Sequence, residues 1–148
     1  MQRTWRRAAL AASLSITGAL GGLVAATPAQ AETVPLELGL AVATDGTAST
    51  ISGKAIVHGT VTCSQPTSVT VSGTVDQVVK KVLVRGRFDA LVACTPGAPV
   101  AWTAAATPID TTPFARGAAE VSTEASAYDA EYQRYVVYDT SIVDLVKS

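Results

Sequence analysis

Gly59-Thr60-Val61-Thr62-Cys63 reads as the end of a β-strand, and its last residue carries one of the chain's two thiols, the other being Cys94. Ala55, Val57, Gly59, Val61 and Cys63 fall on one face, and Ile56, His58, Thr60 and Thr62 on the other. That is the period-two alternation of a half-buried strand. A proline-containing turn follows each cysteine: Ser64-Gln65-Pro66-Thr67 after the first, Thr95-Pro96-Gly97-Ala98-Pro99 after the second. With strands at 55–63, 68–75 and 82–94 forming a meander, both thiols lie at one end. Next-nearest strands of a flat sheet are about 9–10 Å apart. A disulfide wants its Cα atoms roughly 4.4–6.8 Å apart. A bridge between Cys63 and Cys94 therefore requires strands that are direct neighbours or that face each other across two sheets.

The N-terminus decides whether such a bridge is expected. Met1-Gln2-Arg3-Thr4-Trp5-Arg6-Arg7 is basic, 8–26 is an apolar run rich in small residues, and Ala29-Gln30-Ala31 follows. This is the pattern of a secretory signal peptide, with Ala29 and Ala31 at the small-residue positions of the cleavage site. An uncleaved anchor would want about 20 strongly apolar residues, and here alanine and glycine dilute the run. The expectation is a helical signal peptide over 1–31, cleavage after Ala31, and one secreted extracellular domain over 32–148. In an oxidising compartment the two cysteines read as one structural disulfide. Their spacing is not the C-x-x-C of a redox pair.

Cleavage removes Arg3, Arg6 and Arg7, so Lys plus Arg falls from 11 to 8 against 12 acids, a net charge of about −4. A mildly acidic domain argues against nucleic acid as a partner, and against a membrane once the signal is gone. Asparagine is absent from the chain. There is thus no N-linked glycosylation acceptor and no Asn-Gly hairpin turn.

Val, Thr, Ala, Ser and Gly dominate the remainder, and β-branched residues alternating with Thr and Ser point to strands. Further strands are expected over 36–43, weakly over 47–51, and over 100–107, 118–127 and 135–146, the last broken near Asp139-Thr140. Asp45-Gly46 reads as a turn. Val75 and Val79 are odd-numbered, but the apolar set from Val82 onward is even: Val82, Val84, Phe88, Val92, Cys94. A turn or bulge therefore lies between 76 and 81, although no glycine or proline marks it. Seven to eight short strands, a bridging disulfide and Trp102 nearby suggest an all-β, antiparallel, immunoglobulin-like β-sandwich.

Gly59-Thr60-Val61-Thr62-Cys63, Ser72-Gly73-Thr74-Val75-Asp76-Gln77, Val92-Ala93-Cys94-Thr95-Pro96-Gly97, Trp102 and the segment 114–121 together resemble an uncharacterised family of small exported proteins of Streptomyces-type actinobacteria. The resemblance covers most of 36–147. It implies a secreted, two-cysteine, immunoglobulin-like domain, and it supplies no activity and no catalytic residues.

Nothing in the sequence assembles a catalytic constellation or calls for a cofactor. The single histidine, His58, is expected to point outward from its strand, and no G-x-S-x-G elbow is present. One histidine and two paired cysteines are too few ligands for zinc or copper. Glu120 and Glu124 share a strand face, but without a cleft they read as a solvated surface. Asp129, Glu131, Asp139 and Asp144 do not form a calcium loop. Lys80, Lys81, Arg85 and Arg87 read as charges protecting an exposed strand.

The candidate binding surface is aromatic. Tyr128, Tyr132, Tyr135 and Tyr138 are all of the chain's tyrosines, and acids and Arg134 are interleaved with them. Exposed tyrosines suit binding surfaces; alternatively, some of these rings close one end of the core. The function expected is non-enzymatic binding of a protein or glycan partner at the cell envelope or in the medium. A protease inhibitor working through the 95–99 loop, or a carbohydrate- or wall-binding module, is the alternative.

Overall fold

The computed structural model describes residues 34–148. The signal-peptide reading of 1–31, with Ala29 and Ala31, falls outside the described residues. Eight strands follow one another: β1 (Leu38–Val42), β2 (Asp45–Ala48), β3 (Ala55–Cys63), β4 (Thr67–Val79), β5 (Val82–Cys94), β6 (Val100–Pro108), β7 (Gly117–Tyr128) and β8 (Arg134–Lys147).

The expected immunoglobulin-like sandwich is not what forms: seven strands close into a β-barrel. β3 does not turn into a meander with β4. It pairs antiparallel with β6 along one edge, from Ala55↔Ala106 to Val61↔Val100. Along its other edge it pairs with β1 and β2, which lie end to end. β2 then runs parallel to the end of β8, from Asp45↔Asp144 to Ala48↔Lys147. From β8 the order continues β7, β4, β5, β6 and returns to β3. The Asp45-Gly46 pair, which reads as a turn, is thus part of the closing strand. Closure pairs most of the edges that a sandwich leaves free, the exception being the stretch where β5 and β6 part.

Alternation places the core. Val57 and Val61 of β3, Val69, Val71 and Val75 of β4, Val84 and Phe88 of β5, Val121 of β7, and Val143 and Leu145 of β8 all point inward and are buried. Two inward positions are glycines because a backbone carbonyl (Ala41 O at Gly59, Ser122 O at Gly73) and an aromatic ring both crowd them. Gly59 is the register partner of Trp102, and a Cβ there would stand 2.9 Å from the indole Cζ2. Gly73 is the register partner of Phe88, and a Cβ there would stand 2.7 Å from the ring Cζ. The two rings stack with centroids 6.0 Å apart and planes 9° from parallel.

The phase change between β4 and β5 is a two-residue hairpin turn. Val79↔Val82 closes the ladder, and Lys80 and Lys81 take φ of 48° and 68°. Both central residues at positive φ is the type I′ pattern, which matches strand twist and is usually built from Asn-Gly.

Cys63 and Cys94 form the disulfide, with Cα atoms 6.3 Å apart. Their strands are separated by β6 in the sheet order, yet they approach because β5 and β6 part. Those two strands pair only at Gly86↔Pro108 and Arg87↔Thr107, and β6 begins opposite Val61 rather than opposite Cys63. The bridge spans the opening left at that end.

Candidate binding surface

β5, β4, β7 and β8 form a continuous antiparallel patch whose outward positions alternate with the buried ones just named. Register assembles them into rows. Asp89, Ser72, Glu124 and Tyr138 lie side by side, as do Arg87, Thr74, Ser122 and Thr140. Ser72, Thr74, Ser122, Glu124, Tyr138 and Thr140 line a shallow trough of about 260 Å³. The short Ser and Thr side chains leave it open, and Tyr138, 74% exposed, stands at its border. Arg134 Nη2 donates to Glu124 Oε1 at 2.6 Å, fixing a charged pair beside the ring. Tyr128 is the register partner of Arg134, four residues along β7 from Glu124. At strand rise, the rows of Tyr128 and Tyr138 are about 13 Å apart.

The four candidate tyrosines therefore divide. Tyr128 and Tyr138 project from the same outer face and are exposed. Tyr132 is 87% exposed and sits in the β7–β8 turn with φ of 61°. Asp129 shapes that turn: its Oδ1 accepts from the backbone N–H of Glu131 at 2.8 Å and of Gln133 at 2.9 Å. Tyr135 points inward, half-buried, and packs on the core. Burial, and then the charge and hydrogen bond of Asp129, push its phenol above the ordinary range, opposed by a hydrogen bond with the Leu36 backbone. One ring thus closes the core and three stand outside it.

The other sequence candidates are not brought together. His58 Nε2 lies 3.1 Å from Asp45 Oδ2 across β3 and β2, both side chains well exposed. Glu120 and Glu124 sit on the outer face two rows apart. Asp129 is in a turn, Asp139 accepts from the Ser141 hydroxyl at 2.8 Å, and Asp144 is on the opposite face of β8 from Asp139. Among the described residues no group of three or more His, Cys, Asp or Glu side chains could hold a metal ion. The 95–99 loop after Cys94 is exposed throughout.

Sequence reading missed the trough. Alternation puts Ser72 and Thr74 outward on β4 and Ser122 outward on β7. What it lacked was the register that sets Ser122 and Thr140 beside them. No protein-family model, no curated protein and no solved structure matches the chain.

Proposed function

We propose that the protein is an exported, non-enzymatic binding domain, and that the outer face of β4, β7 and β8 takes a polyhydroxylated ligand such as a wall or extracellular glycan. The observation that carries this is the trough of Ser and Thr hydroxyls bordered by Tyr138 and the Glu124–Arg134 pair. Sugars are recognised by an apolar ring face that stacks against the pyranose and by donors and acceptors at its rim. Tyr138 supplies the first. The hydroxyls, carboxylate and guanidinium supply the second. The surface is shallow and open, which suits a polymer lying across strands.

Pull-down on insoluble peptidoglycan and on chitin tests this reading. Retention should drop at least tenfold in Tyr138→Ala, and further when Tyr128→Ala is added, with the melting temperature unchanged. Failure of the unmodified protein to be retained on either polymer disposes of the reading. The exposed 95–99 loop, anchored by Cys94, favours a second reading as an extracellular protease inhibitor. Incubation with secreted serine proteases tests it, and undiminished proteolysis rules it out.

A further inference from the structure

The end of the barrel away from the disulfide has a different chemistry from the rest. The β4–β5 hairpin runs past the barrel rim. β4 pairs with β7 only as far as Asp76, and β5 pairs with β6 only at Gly86 and Arg87. Val82, four residues beyond Gly86, is about 13 Å past that pairing. This tip exposes Val78 (70%), Val82 (49%) and Leu83 (54%) around Lys80 and Lys81. Beside it lie the 49–54 turn, with Ile51 98% exposed, and the 109–116 loop, with Ile109 57% exposed. Monomeric soluble surfaces rarely gather so many bare aliphatic side chains without a use for them.

These segments are held in place. Gln77 Nε2 donates to Ala115 O at 2.8 Å, and Gln77 Oε1 accepts from Ala115 N at 3.0 Å. Phe114 N donates to Gly53 O at 3.0 Å, and Ile109 N to Arg85 O at 2.8 Å. Between the two loops opens a cavity of about 300 Å³, with buried Ala48 and Phe114 in its lining and Arg116 and Lys147 at its sides.

Charge follows the same division. Lys54, Lys80, Lys81, Arg116 and Lys147 gather at this end, and none is in an ion pair among the described residues. The acids near it are Asp110 in the loop, Asp76 held by Arg85 at 2.7 Å, Glu120 on the strand flank, and Asp144 beside its register partner Asp45. Glu37, Glu124, Asp129 and Glu131 lie towards the opposite end. Acids flank this end, but Lys80 and Lys81 at the hairpin tip and Arg116 and Lys147 at the cavity make its apolar parts locally basic.

We propose that this end docks on an anionic lipid surface, with Val78, Val82 and Leu83 entering the headgroup region. Lys80 and Lys81 then meet lipid phosphates, and Arg116 and Lys147 bring a headgroup to the mouth of the cavity. Basic side chains flanking exposed aliphatics are the combination that holds proteins at such interfaces. The acidic far end orients the domain by repulsion and turns the glycan-binding face sideways to the bilayer.

Co-sedimentation with vesicles tests the proposal. One set contains phosphatidylglycerol mixed with phosphatidylcholine, the other phosphatidylcholine alone. The full-length secreted protein should bind the first set and not the second, and added salt should weaken binding. Lys80→Gln and Lys81→Gln should each reduce partitioning about fivefold, and Leu83→Ser should reduce it again. All three positions are exposed on the hairpin tip, so the variants should keep the unmodified melting temperature. Absence of binding to anionic vesicles, equal binding to both sets, or lysine variants that bind like the unmodified protein would each overturn it.

Discussion

Lys80 and Lys81 occupy a turn that other residues would fill at lower cost, and replacing them with Asn-Gly should stabilise the barrel. Their φ values of 48° and 68° place both in the left-handed region. An L-residue there loses roughly 1–2 kcal/mol to the approach of Cβ to the carbonyl oxygen. Lys81→Gly removes that cost but returns about 0.5–1 kcal/mol as entropy of the unfolded chain. Lys80→Asn recovers a smaller amount, because a short polar side chain tolerates the conformation. The pair should gain about 1 kcal/mol. For a domain of this size that is a rise in melting temperature of about 3–6 °C. Thermal unfolding of the oxidised protein followed by circular dichroism measures it. The hairpin amides should also exchange more slowly with solvent. A melting temperature that is unchanged or lower would refute the reasoning, since it would mean that the turn carries no removable strain. The same variant has lost two lysines from the docking tip, so its affinity for anionic vesicles should fall while its stability rises.

Three other outcomes follow from the packing. Reduction of the Cys63–Cys94 bridge, which has a sequence separation of 31, should cost roughly 3–4 kcal/mol through loop entropy; urea melts with and without reductant read the loss directly. Gly73→Ala places a methyl against the Ser122 backbone carbonyl and the Phe88 ring and should cost at least about 1–3 kcal/mol, with the near-ultraviolet dichroism of Trp102 altered as the stack with Phe88 shifts. The Tyr135 phenol is held above its ordinary value, chiefly by burial and then by Asp129. With the folded value above the unfolded one of about 10, its contribution is complete below that pH and is lost as pH rises through the folded value. Urea melts across the alkaline range should show that loss in the unmodified protein and not in Tyr135→Phe.

Local features of this fold were legible and closure was not. β3 and β5 have the bounds that alternation and the cysteines marked, and the odd-to-even phase change located the turn that Lys80 and Lys81 make. A strand in a sandwich and a strand in a barrel show the same alternation, because each has one inward and one outward face. The distinction rests on which edges meet, and here one of the deciding contacts is the four-residue pairing of Asp45–Ala48 with β8. Asp45-Gly46 has turn chemistry, so the pairing was hidden by local preference. β8 continues through Asp139-Thr140, where a break was expected, because Asp139 faces inward and takes the Ser141 hydroxyl as its partner. The tyrosine stretch resisted reading for another reason. Odd positions face inward in both β7 and β8, but strand and helix periodicities group the four rings differently, and the residues alone do not choose between them.

The parallel pairing of β2 with β8 sets a condition on how the molecule is made. It joins segments about a hundred residues apart, Asp45 with Asp144 at its start, and such contacts come late because the intervening chain must be ordered first. A chain emerging amino-terminus first presents β1, β2 and β3 long before the strand that completes the ring exists. Until β8 arrives, β2 has one bare edge and β7 another, and both are templates for a neighbouring chain. Under the export proposed above, that delay would leave the ring open, and the chain threadable, until its last dozen residues arrive.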